Sequence, residues 1–243
     1  MPISKMGRSG MEKQEDGASD KMRFRRTQRR AAGAVLVAAS AIFLLAEFIA
    51  AAAWTDPPYS YTYHYISDLG VRGPLTALGQ FMNSPLAWVM NTGFFLFGIM
   101  VFVGVAVLRG LQGWRRWAAL ILAVLVAVGG VLLAFHPGTG DPVDGSTDYH
   151  GLGAFASIVG GNVLVIFLGR LHHLIGVAPK TGRAMVALGA FGLVSLVAFM
   201  AVAGSGANIL VGLVERCAAY PLLIGFVLAG LSIRRSPPSL IAP

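Results

Sequence analysis

Apolar positions gather into six long runs, at residues 31–54, 86–108, 117–135, 151–169, 184–203 and 212–231. Short basic segments alternate between them with polar connections rich in proline, glycine and aspartate. Each run has about the 20 residues that a helix needs to cross the hydrocarbon core of a bilayer. Within that core a segment satisfies its backbone N–H and C=O groups internally, so the runs predict helices, not strands. The predicted fold is therefore all-α, a polytopic bundle of six transmembrane helices. The pairs Gly129-Gly130 and Gly160-Gly161 predict close helix contacts, because small residues let backbones approach in a membrane.

Composition strengthens this reading. The 243 residues are 56% hydrophobic and 12% charged, with a mean hydropathy of +0.69. A soluble domain carries about 25% charged residues, so a wettable surface cannot be built from this inventory. Cys217 is the single cysteine, which excludes an internal disulfide and any chemistry that needs a cysteine pair.

The distribution of charge predicts orientation. Nine basic residues precede the first run, and eight more follow the second, fourth and sixth runs: Arg109, Arg115, Arg116, Arg170, Lys180, Arg183, Arg234 and Arg235. Seventeen of the nineteen thus fall on one side, which the positive-inside rule makes cytoplasmic, with both termini there. Only Arg72 and Arg216 remain for the outer half, where all seven acidic residues beyond the tail also fall: Glu47, Asp56, Asp68, Asp141, Asp144, Asp148 and Glu215. The net charge of +8 reflects topology and contact with membrane lipids, with no case for nucleic acid. The expected location is the cell (inner or plasma) membrane.

Residues 1–30 are polar, mixed in charge and without apolar periodicity, which predicts a disordered basic tail. The bundle is expected over residues 31–233, with a short cytoplasmic tail at 234–243. Methionines at 1, 6, 11 and 22 leave the start of translation open between Met1 and Met22. The first run resembles a signal peptide in its basic flank and its small-residue end. Its length exceeds the roughly 7–15 residues of a signal core, so it is read as a retained helix.

Two outer connections carry most of the polarity. The first, at 55–85, is long for a bundle linker, and such loops are often functional. Its segment at 59–65 alternates with period two. If extended, it places Tyr59, Tyr61, Tyr63 and Tyr65 on one face. An aromatic belt at the lipid interface is favoured there over a substrate-stacking platform. The second connection, at 136–150, brings His136 and His150 to adjacent helix ends with Asp141, Asp144 and Asp148 between them. Imidazoles and carboxylates suit a divalent ion, and His136, Asp148 and His150 are the weak metal candidates. The spacing matches neither the metalloprotease helix motif nor the EF-hand loop. An N-cap role for Asp148 and a turn at Asp144-Gly145 are favoured instead.

Ionisable residues within the runs are the sharper signal. Glu47, Glu215 and Arg216 lie in the outer parts of the first and last runs, and Asn91 in the outer part of the second. A charge inside a span costs about 2.5 kcal/mol or more and faces the bundle interior or a cavity. Consecutive helical residues point about 100° apart, so Glu215 and Arg216 need separate partners, with Asp68 the suggested one for Arg216. Glu47 and Glu215 are the candidate catalytic acids; Ser67, Asp68, Asn91, His150 and Arg216 are the candidate ligand-binding residues. A polar lock that merely holds the bundle together is at least as good an account of these charges.

The stretch Tyr65-Ile-Ser-Asp-Leu-Gly70, the stretch from Asp141 to His150-Gly151, and Gly212-Leu-Val-Glu-Arg216 with Pro221 together resemble the membrane family called domain of unknown function 998. The Ile-Ser-Asp-Leu-Gly element also echoes the Frag1/DRAM/Sfk1 membrane proteins. The resemblance implies six helices and no established activity or cofactor. His136 departs from the family pattern, where phenylalanine is more usual, which weakens a metal role for it. Three function classes remain: an enzyme acting on a lipid or isoprenoid through Glu47 or Glu215, a non-enzymatic lipid-binding or scaffold protein, and an ion-coupled transporter. The third ranks last because no inverted repeat is visible.

Overall fold

The computed structural model describes residues 6–77, 79–138, 147–206 and 208–235, with residues 6–23, 25 and 26 as backbone alone. Six helices form: α1 (Met6–Ala53), α2 (Ala87–Val107), α3 (Gly113–Phe135), α4 (Tyr149–Arg170), α5 (Pro179–Gly204) and α6 (Val211–Arg235). All six are long and apolar enough to cross a membrane, α1 over Thr27–Ala53. The predicted runs therefore reappear as helices, with most ends moved outward by a few residues. Hydropathy marks only the hydrocarbon portion, whereas a helix continues into the interface where its basic residues reach water. In α3 that extension brings in Arg116, whose guanidinium donates to the carbonyls of Ala106 and Leu108 at the end of α2. In α5 it begins at Pro179, whose fixed φ suits a first helical position.

The backbone differs from expectation before residue 31. Helix α1 runs back to Met6, where polarity predicted a disordered tail. Lysine, arginine, glutamate, glutamine and methionine are good helix formers, and a helix nucleated in the membrane is extended at low cost.

Sequential helices pack as neighbours, and α6 returns to lie against α1, closing a ring; α4 also meets α6 across the centre. Helix α6 is the most enclosed, with 61% of its apolar window buried against 28% for α5. The ring packs through glycines. At Gly129 a Cβ would meet the Gly153 carbonyl of α4, and at Gly130 the Phe94 carbonyl of α2. Gly161 faces Leu222 of α6 and Gly160 faces Leu125 of α3, so both predicted glycine pairs are contact points. Large apolar side chains such as Trp88, Ile121, Val194 and Val197 face outward, as a lipid-facing surface requires.

The long first connection is folded. It holds a 3-10 turn at Ser67–Gly70 and an antiparallel hairpin, β1 (Leu75–Ala77) with β2 (Gln80–Met82). The 59–65 segment is not an extended strand, because turns at 61–63 break the alternation. Its tyrosines consequently do not share one face: Tyr65 is buried and Tyr63 is more than half exposed. The connection is seated on α6 through the Leu213 amide, which donates to Thr62 O.

Candidate functional site

Arg216 organises the end of the bundle away from the termini. Its Nε donates to Glu47 Oε1 at 3.0 Å, and Nη2 lies 2.8 Å from the same oxygen. Its Nη1 donates to three carbonyls, Tyr61 O at 2.8 Å, His64 O at 3.2 Å and Gly212 O at 2.9 Å. Nη2 also donates to the Tyr59 hydroxyl, which itself donates to Tyr65 O. The guanidinium stands 4.8 Å from the Tyr61 ring centroid and 5.6 Å from that of Tyr59. Such stacking adds to the hydrogen bonds once water is excluded. Every donor direction of the fork is thereby occupied, and the loop is pinned to α1 and α6 at one point.

Glu47 is fully buried opposite Arg216 and accepts from the Tyr220 hydroxyl at 3.0 and 3.1 Å. Tyr220 escaped the sequence reading, although it lies four residues beyond Arg216 and so on the same helix face. The partner suggested for Arg216 is corrected here: it is Glu47, not Asp68. Helix order decides this, because α1 closes the ring beside α6. Asp68 is instead used locally, accepting the Tyr65 amide at 2.9 Å as the 3-10 turn begins.

Glu215 points elsewhere. Its Oε2 accepts the Ile66 amide, its one hydrogen bond among the described residues, and it has no cationic partner there. The carboxyl borders a narrow cavity in the middle of the bundle, bounded also by Ser67, Ser157, Phe94, Phe97 and Leu222. The space open to the centre of a water molecule is about 50 Å³, several times what one water needs. Glu47 does not border this cavity. The two acids therefore divide: Glu47 is spent in an ion pair, and Glu215 faces a space.

The remaining candidates separate likewise. Asn91 Nδ2 donates to Gly70 O at 3.0 Å and holds the end of the 3-10 turn, while its buried Oδ1 has no hydrogen-bond partner among the described residues. Asp68 sits outside the spans, and burial pushes its carboxyl up to about 7. Burial holds the nearby His64 imidazole below its ordinary range, with Arg216 acting in the same direction. Tyr65 is pushed up to about 12, again mainly by burial.

At the second connection, Asp148 is the N-cap of α4 and accepts from the Gly151 amide at 2.8 Å. His150 Nδ1 bonds the His136 carbonyl at 2.8 Å, and the His136 ring packs on Tyr149. No group of three metal-ligating side chains occurs among the described residues. Asp141 and Asp144 lie outside them.

This arrangement defines a multi-pass membrane protein with an ion-paired lock at the end away from the termini and a separate small cavity beneath its first loop. The chain belongs to the family described as protein of unknown function (DUF998), whose profile matches residues 37–232. The match covers all six membrane spans except the first turns of α1 and the last of α6, and it includes every residue of both the lock and the cavity. No curated protein and no solved structure matches the chain.

Proposed function

We propose that this protein holds one end of a slender amphiphile, a lipid or isoprenoid, in the cavity beside Glu215. The observation that carries the reading is a buried carboxyl, with one oxygen unbonded among the described residues, on the wall of a largely apolar space. Ligand sites of this kind combine apolar walls with a few polar groups that fix orientation. Phe94, Phe97 and Leu222 would flank the chain, and Ser67, Ser157 and Glu215 would hydrogen-bond the head. At about 50 Å³ the cavity admits only the end of one slender chain. Retention is favoured over turnover because Glu47, the second candidate acid, is engaged by Arg216 and Tyr220. Asp68, Asn91 and Arg216 then act by shaping the loop above the site. The positive-inside asymmetry supports a cell-membrane orientation with both termini cytoplasmic and this cavity in the outer half.

The test is mass spectrometry of lipid co-purifying with the intact protein. Glu215→Gln should change the retained species, and Ala154→Leu, which fills the cavity wall, should abolish retention while the protein stays folded. Identical retained lipid in wild type and Ala154→Leu would remove the cavity from consideration.

A further inference from the structure

A second space lies at the opposite end of the bundle, where the termini are. Helices α1 and α6 meet backbone to backbone at Gly33 and Gly230, where a Cβ on either would run into the other's carbonyl oxygen. Toward the termini a groove lies between them, lined by Thr27, Arg30, Ala31 and Ala34 of α1 and Leu231, Arg234 and Arg235 of α6. It offers about 680 Å³ to the centre of a water molecule, far more than the outer cavity. The aliphatic stem of Arg234 runs over Gly33, so the absent side chain at Gly33 is part of the groove's construction.

Three arginines from two helices thus share one groove. All three are exposed, and none has a hydrogen bond or ion pair among the described residues. Three other basic residues at this end are already engaged. Arg29 donates to Ile175 O, Arg109 to Gln28, and Arg116 to the carbonyls ending α2. The carboxylates whose side chains are described, Glu47, Asp56, Asp68, Asp148 and Glu215, all belong to the far end. The groove wall between the arginines is apolar, supplied by Ala31, Ala34 and Leu231.

We infer that this groove binds one anionic phospholipid, its phosphate held by Arg30, Arg234 and Arg235 and its first acyl carbons laid against Ala31, Ala34 and Leu231. Guanidinium forks match phosphate oxygens with two parallel hydrogen bonds each, which a zwitterionic head neutralises in part and an anionic head does not. The position suits this occupant, since a groove between the ends of two spans opens where lipid phosphates lie. The small residues Ala31 and Ala34 leave the room that a larger side chain would close. This inference needs only the membrane-spanning fold and is independent of the ligand proposed for the outer cavity.

The test uses the full-length protein, delipidated in detergent and titrated with phosphatidylglycerol or phosphatidylcholine. Native mass spectrometry reads the lipid retained, and thermal unfolding reads the stabilisation. Wild type should retain one phosphatidylglycerol in preference to phosphatidylcholine. The triple variant Arg30→Gln, Arg234→Gln, Arg235→Gln, altered only at exposed positions, should bind it on the order of 100-fold more weakly, at roughly fivefold per basic residue near an anionic surface. Ala34→Leu keeps every arginine and should also lose the bound lipid. Arg170→Gln, Lys180→Gln, Arg183→Gln removes the same charge elsewhere at this end and should retain it. Equal losses in the two triple variants would reduce the effect to general surface attraction and overturn the site. Equal stabilisation by inorganic phosphate or glycerol phosphate would overturn the lipid as occupant, as would failure of wild type to prefer phosphatidylglycerol.

Discussion

Arg216 and Glu215 are chain neighbours with opposite fates, and the helical rotation of about 100° between them is the cause. Arg216 shares its face with Gly212 and Tyr220 and turns to Glu47, whereas Glu215 shares its face with Ala219 and Leu222 and borders the cavity. Removing one member of a buried ion pair leaves the other uncompensated, at about 3–5 kcal/mol. Arg216→Ala should therefore lower the thermal stability in detergent far more than Arg115→Ala, whose side chain is exposed. Equal melting temperatures for the two variants would show that the lock contributes little. Asp68 gives a pH signature. Its carboxyl rises from an ordinary 3.8 to about 7 on folding, so the folded state binds more protons across that window. Its contribution to stability is present below the ordinary value and is lost as pH climbs toward about 7. His64 acts in the opposite sense, its depressed value adding stability that is lost on acidification. The difference between wild type and Asp68→Asn isolates Asp68: the variant should gain relative stability from about pH 4 to pH 7 and level off above. A pH-independent difference would contradict the assignment.

Among the elements, α6 is the most enclosed, and it faces α1, α4 and α5 at once. Its interior Pro221 cannot donate a backbone hydrogen bond, and neighbouring side chains supply bonds around it. Asn162 of α4 donates to Ala218 O at 3.0 Å, and Ser40 of α1 donates to Leu223 O at 3.0 Å. The α1–α6 seam depends on Gly33 and Gly230. A methyl group added there has no room, and overpacking of this kind costs about 1–3 kcal/mol. Gly230→Ala should therefore lower the melting temperature clearly. Gly204→Ala should leave it unchanged or slightly raised, because nothing lies within 4 Å of a Cβ at Gly204. Similar effects at both positions would mean that the seam tolerates separation. The aromatic loop shows the opposite relation between pattern and element. Its alternation, if extended, would place four tyrosines on one face, but Arg216 draws the carbonyls of Tyr61 and His64 and the rings of Tyr59 and Tyr61 around itself.

At the level of the whole molecule the bundle is polarised. The terminus end opens a wide arginine-lined groove, while the far end holds Glu47, Asp68 and Glu215, the ion-paired lock and a narrow cavity. This separation supports the orientation proposed for the protein. A reporter fused at residue 243 should sit on the cytoplasmic side, and one inserted in the connection after Phe135 on the other side. Both reporters on one face of the membrane would overturn that topology.

The amino-acid sequence by itself determined the membrane class, the six spans, the Asp148 cap and the glycine contacts. Each follows from interactions local to one segment or from the demand that lipid makes on every backbone group. It also placed Glu47, Glu215 and Arg216 among the residues that need partners, because a charge in a span is costly wherever it stands. Which partner each takes was decided by tertiary structure alone. Ring closure set Glu47 of α1 against Arg216 of α6, and the fold of the first loop brought the Ile66 amide to Glu215. The cavity and the arginine groove are spaces between helices distant in sequence, and a periodicity records which face of a helix is buried but not what lies opposite it.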